Sequence, residues 1–187
     1  MAVLTRKRLL TNEEYHHILG AGILAEEERV ELIHGEILEM GPICNRHAAC
    51  LRRLLRLLTP ALGPDVMLDV QNPIHLPKEK SEPQPDLILL RSREDGYAAR
   101  PPTAEDILLL IEIADRSLAY DHDVKVPLYA HSGIPEVWLV DLAGASIVVH
   151  RSPGENGYLD VQSLGPGETL APAGLPGTRL SVGAILG

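Results

Sequence analysis

The sequence predicts an α/β (α+β) domain in which a mixed β-sheet is flanked by helices. Two nearly continuous apolar runs, residues 86–90 and 107–113, suit central strands covered on both faces. Residues 45–59 repeat leucine at helical spacing, the mark of an amphipathic helix lying on such a sheet. A chain of 187 residues, 45% hydrophobic and 23% charged, suffices for a single domain with its own core.

Each element has a local reason. Thr11 and Glu14 form a T-x-x-E capping box, with Leu10 and Tyr15 placed as a hydrophobic staple, so a helix starts there and ends by Gly20 or Gly22. Residues 29–40 read as two strands around a tight His34–Gly35 turn. In the amphipathic helix Leu51, Leu54, Leu55 and Leu58 share one face, Arg52, Arg53 and Arg56 the other, and Pro60 ends it. Strands follow at 66–71, 86–90 and 107–113, then a helix over about 118–131 closed by Gly133. Pro127 falls inside that helix and should kink it or mark a late start. Strands at 137–141 and 146–151 are joined by Ala143–Gly144. The region 152–187 holds eight of the sixteen glycines and four prolines, which predicts a loop-rich end with edge strands at 158–163 and 179–182. No repeat or linker interrupts the chain, so one domain over 1–187 is expected, with its core at about 29–151.

Composition narrows the function. The net charge of −9, from 26 acidic and 17 basic residues, argues against nucleic-acid binding over the whole surface. It leaves room for a local basic groove or a cation site made of carboxylates. The 3% of aromatic residues argues against a base-stacking platform for single strands. Cys44 and Cys50 match no zinc or disulfide pattern and read as small thiols. No apolar run could cross a bilayer and residues 1–10 carry no export signal, so a cytoplasmic protein without membrane contact is expected. The absence of G-x-S-x-G, Walker, G-x-G-x-x-G and H-E-x-x-H motifs sets aside serine hydrolases, P-loop NTPases, dinucleotide oxidoreductases and zincins. His16 and His17, adjacent on a helix, point in different directions, and Trp138 reads as core or interface.

The chemistry points to acids inside apolar strands. Asp86 opens P-D-L-I-L-L and Glu112 interrupts I-L-L-L-I-E-I-A. A carboxylate there is costly unless paired, protonated or bound to a cation. Two of them on neighbouring strands could hold Mg²⁺ or Mn²⁺, or each could be a solvated or salt-bridged strand end. Lys125, four residues after Asp121, is either half of a surface ion pair or an ammonium entering the carboxylate cluster.

Four ordered segments go further: E-L-I-H-G-E-I (31–37), S-E-P-Q-P-D-L-I-L-L (81–90), I-E-I-A-D-R-S-L-A-Y-D-H-D-V-K-V-P-L-Y-A (111–130) and S-G-I-P-E-V-W-L-V-D (132–141). Together they resemble the large bacterial restriction endonuclease family within the PD-(D/E)XK nuclease superfamily. The resemblance runs from about Glu31 to Arg151 and implies a restriction-endonuclease-like fold and a Mg²⁺- or Mn²⁺-dependent endonuclease acting on double-stranded DNA. It makes Asp86, Glu112 and Lys125 catalytic, with Asp86 and Glu112 as metal ligands. The Ile113 carbonyl is a third candidate ligand, and Glu31 would complete the metal site. Ala114 stands where the motif lysine belongs, and the resemblance moves that role to Lys125. Asp121 and Gln71 are candidates for orienting Lys125 and for contacting substrate. Arg52, Arg53 and Arg56, with Arg46 and His47 before them, could touch DNA phosphates or form a solvated face. A homodimer would suit cleavage of both strands. The competing expectation is a catalytically silent relative that serves as a DNA-binding or protein-interaction module, favoured by Ala114 and the negative charge.

Overall fold

In the computed structural model, which describes residues 6–25 and 28–187, the chain forms a six-stranded mixed sheet covered on both faces. The expectation about an export signal falls partly on residues 1–5, outside the described residues. The helix α1 (Asn12–Gly20) begins as its capping box requires: the Thr11 hydroxyl accepts from the Glu14 amide, and the Glu14 carboxylate accepts from the Thr11 amide. Strands β1 (Val30–Ile33) and β2 (Glu36–Glu39) form a hairpin. Its turn puts His34 and Gly35 both at positive φ, as a two-residue turn of the mirror type demands. At Gly35 a Cβ would also lie 2.8 Å from the Leu10 carbonyl oxygen, so no side chain fits there.

The main sheet runs β3 (Val66–Asp69), β4 (Leu87–Arg91), β5 (Ile107–Ala114), β6 (Glu136–Asp141), β7 (Ser146–Gly154) and β8 (Gly157–Leu164), in that spatial order. Every pair is antiparallel except β5–β6. The side-chain period of two splits β4 and β5 between the two faces. Leu87, Leu89, Leu109, Ile111 and Ile113 meet α2 (Asn45–Leu58) and the C-terminal α5 (Val182–Leu186). Ile88, Leu90, Leu110 and Ala114 face the other way, toward the β1–β2 hairpin and the helix after β5. Glu112 shares the parity of Leu110 and Ala114, and so points to that second face.

The connection from β5 to β6 resolves the conflict over Pro127. A helical turn, α3 (Leu118–Tyr120), passes through a π-helical stretch, Asp121–Lys125, into α4 (Val126–His131). The Val126 amide reaches back to the Asp121 carbonyl, and Pro127, lacking an amide hydrogen, sits in the first turn of α4 where none is needed. There is no break. The bulge instead leaves Asp121 and Lys125 both buried against the sheet.

The C-terminal region differs from the loop-rich expectation. Strand β7 continues to Gly154 and pairs with the eight-residue β8, while β9 (Thr169–Leu170) and β10 (Leu180–Ser181) form a second small ladder before α5. The edge strands expected at 158–163 and 179–182 are present as β8 and β10; the extension of β7 to Gly154 and the partner strand β9 were not expected.

A short turn, Ala104–Asp106, delivers the chain into β5. The Asp106 carboxylate accepts from the Thr103 amide and hydroxyl at 2.9 Å and from Arg100 at 2.7 Å. Burial opposes its ionisation, but these donors prevail and hold its pKa at about 2. A depressed carboxylate stabilises above its unfolded pKa of 3.8 and ceases to do so as pH falls through about 2. Asp106→Ala should therefore cost about 1 kcal/mol near neutrality, the usual worth of a cap. In urea unfolding the gap to wild type should close as pH drops from 4 toward 2. A gap independent of pH would refute the charge-based account.

Candidate active site

The antiparallel register pairs Leu87 with Ile111, and one step further it sets Asp86 across from Glu112 at the end of β4 and β5. Asp86 is held by three donors. Its Oδ2 accepts from the Ile113 amide at 2.8 Å and lies 2.9 Å from His47 Nε2, and its Oδ1 accepts from Gln71 Nε2 at 3.1 Å. Gln71 adopts positive φ just beyond β3, and His47 lies in the first turn of α2, so three separate elements aim at this carboxylate.

Glu112 is 3% exposed. Its Oε1 lies 3.2 Å from Lys125 Nζ and accepts from the Tyr129 hydroxyl at 2.6 Å. Lys125 Nζ also lies 3.0 Å from Glu31 Oε2, which sits on β1 and receives the Gln84 amide. The ammonium thus bridges two buried carboxylates. Burial would depress its pKa, but Glu112 and Glu31 overcome this and hold it above the ordinary lysine value. Burial also dominates at Glu112, with Asp86 and Asp121 adding to it, and the pKa rises to about 8 despite Lys125 and Tyr129. Asp121 is shifted upward by burial as well, and accepts from the Ser117 hydroxyl.

Not every buried acid is of this kind. Glu136, 1% exposed, is paired with Arg151 and receives the Trp138 indole and the Ala173 amide, so it ties the C-terminal segment to the sheet. Trp138 is core.

Glu31, Asp86, Glu112, Asp121, Lys125 and His47 all line one cleft of about 640 Å³. The structure places the Lys125 ammonium against Glu112, and the motif position, Ala114, is filled by core packing with 0% exposure. Asp121 is placed beside the cluster, but its hydrogen bond is to Ser117 and not to Lys125. The arginine face behaves differently. Arg52, Arg53 and Arg56 do not line the cleft, and Arg53 donates to the carbonyls of Ile185 (2.7 Å) and Leu186, capping the C-terminal helix. Arg46 pairs instead with Asp115.

Sequence reasoning missed Tyr129, Tyr120 and Gln84. Tyr129 follows Lys125 by four residues, a helical spacing that was available; the others are brought in by the fold alone. The carboxylates of Asp86, Glu112 and Glu31 offer oxygen ligands, the kind that Mg²⁺ and Mn²⁺ take. These carboxylates do not gather three ligand atoms within 4.8 Å of one another among the described residues, since Lys125 stands between Glu31 and Glu112.

A family model described as "Uma2: Putative restriction endonuclease" matches residues 12–183. A solved protein from Anabaena variabilis ATCC 29413, described as a putative nuclease belonging to DUF820, has the same fold with a TM-score of 0.76. The two are 17% identical, over 95% of this chain and 97% of that one. No curated protein matches. Among the described residues no helix is long and apolar enough to cross a membrane.

Proposed function

From the premise that this chain belongs to the Uma2 family, whose description is of restriction endonucleases, we propose that it is a Mg²⁺- or Mn²⁺-dependent endonuclease that hydrolyses phosphodiester bonds of duplex DNA in the cleft described above. The observation that supports this best is the cluster of Asp86, Glu112 and Lys125 at the end of two neighbouring strands. Asp86 and Glu112 would hold the cation, with Glu31 and the Ile113 carbonyl as further ligands. When bound, such an ion lowers the pKa of water and neutralises phosphate charge.

The residues themselves divide the remaining work. Glu112 must give up its proton before it can serve as a ligand, and Tyr129 fixes its orientation through a 2.6 Å hydrogen bond. Lys125, kept charged by Glu31, supplies a cation for the negative charge that builds on the phosphoryl oxygens. His47 and Gln71 fix the Asp86 carboxylate. Two copies acting as a homodimer would cut both strands, and the cytoplasm is where such a substrate lies. Lys125 closed onto both carboxylates supports a second reading, a silent nuclease fold that binds DNA or protein without cutting.

The test is incubation with supercoiled plasmid in Mg²⁺, Mn²⁺ or EDTA, beside Asp86→Ala. Nicking should require the cation and vanish in the variant. Cation-dependent binding without nicking would favour the silent module, and equal nicking by both proteins would overturn the site.

A further inference from the structure

A second cluster of ligating side chains lies apart from the cleft. His16 comes from α1, while His75 and Glu82 come from the segment linking β3 to β4, and none of the three lines the cleft. Glu82 is anchored by its backbone, whose amide donates to the Leu32 carbonyl at 2.6 Å, and the residue is 3% exposed. Its Oε2 lies 2.9 Å from His16 Nε2 and 3.3 Å from His75 Nδ1. The buried Asn12 amide donates both to the Ser81 carbonyl at 2.8 Å and to the same Glu82 oxygen at 3.3 Å. One carboxylate oxygen thus has three neighbouring nitrogens. The carboxylate forms a floor, and the two imidazoles stand at the rim, accessible to solvent.

Three ligand atoms, two nitrogens and one oxygen, lie within 4.8 Å of one another. A tetrahedral ion with bonds of about 2.0–2.1 Å sets its ligands about 3.3–3.4 Å apart. The observed 3.3 Å meets that value and the 2.9 Å falls short of it by a few tenths of an ångström, so small shifts of side chains alone would seat an ion. The donor types select the metal: two imidazoles with one carboxylate suit Zn²⁺ and its neighbours, whereas Mg²⁺ and Mn²⁺ prefer all-oxygen sites. Asn12 supplies the outer-shell bond that orients a ligating carboxylate.

We propose that His16, His75 and Glu82 form a binding site for a borderline divalent transition ion of the Zn²⁺ class, open to water at its fourth position and separate from the proposed catalytic cluster. The bound ion pins α1 to the β3–β4 connection. Glu82 pairs with Leu32, next to Glu31, so the ion also braces the strand that carries a cleft carboxylate.

Cobalt(II) is the probe, because its visible absorption reports nitrogen-rich, low-coordinate sites and is weak for six oxygens. The full chain titrated with Co²⁺ should develop an absorption band that saturates at one ion per chain, is displaced by Zn²⁺ and persists in Glu112→Gln. His16→Ala and His75→Ala should each abolish the band, and Asn12→Ala should weaken binding by about 10–100-fold. Zn²⁺ should raise the thermal midpoint of wild type and leave that of the doubly substituted His16→Ala/His75→Ala protein unchanged. His16 is exposed, so its variant tests the site without threatening the fold. No band in wild type, or a band indifferent to His16→Ala, would overturn the proposal whether or not the protein cuts DNA.

Discussion

Lys125→Met is expected to destabilise the fold by about 3–5 kcal/mol near neutral pH, the cost of breaking a buried ion pair, and to abolish cleavage. The magnitude follows from what remains. The ammonium lies 3.0 Å from Glu31 and 3.2 Å from Glu112, with all three residues buried. Without it Glu31 and Glu112 are left in the buried cluster with no cation between them, and a carboxylate there is either protonated or uncompensated. Glu112, already raised to about 8 chiefly by burial, then loses the ammonium that opposed that rise. Stability from such a group is fully present below the unfolded pKa and is lost as pH rises through the folded value. The gap between wild type and variant should therefore be narrowest at acid pH and widest above about pH 8, where Glu112 ionises beside Lys125 in wild type and has no such partner in the variant. Urea unfolding at acid, neutral and mildly alkaline pH reads this directly. A uniform gap would mean that the lysine acts through packing of its stem alone.

Glu112→Gln has the opposite profile. Cleavage should fall by about 10²–10³-fold or more, the scale for removing an electrostatic group from an active site. The fold should hold, because Lys125 keeps Glu31 and the Tyr129 hydroxyl can still donate to the amide oxygen. In wild type Glu112 retains a proton up to about pH 8, mainly through burial, whereas the unfolded chain releases it above about 4.5. Its contribution to stability is therefore lost as pH rises through 8, and the glutamine variant, which has no such proton, should gain on wild type over that range. A glutamine variant that cuts at the wild-type rate would remove Glu112 from the mechanism.

Much of the architecture is legible in the residues because it is set locally. The capping box at Thr11 and Glu14, the positive-φ pair His34–Gly35 and the unbroken apolar runs of β4 and β5 each specify a conformation within a few positions. The strand acids stand out for the same reason. What the sequence conceals depends on distance. The π turn at Asp121–Lys125 forms where buried groups draw those side chains inward, and no local propensity encodes it. Arg53 reads as a solvated face until a helix more than a hundred residues later offers its carbonyls. His16 and Glu82 meet across 66 positions of sequence. Tyr129 lies in the core, but its hydroxyl belongs to Glu112.

The single parallel pair in the sheet, β5–β6, has a bearing on how the molecule is made. Strands β3, β4 and β5 are sequential neighbours, as are β6, β7 and β8, so each half-sheet can zip from near-neighbour pairing, and only the helical crossover joins them. The first half holds Asp86 and Glu112 but lacks their cation. Desolvating Glu112 before Lys125 arrives would leave a lone carboxylate in an apolar layer, which penalises any intermediate that closes that half early. Because Glu112 of the first half pairs with Lys125 of the crossover, the acids that furnish the cleft also tie the stability of the two half-sheets together.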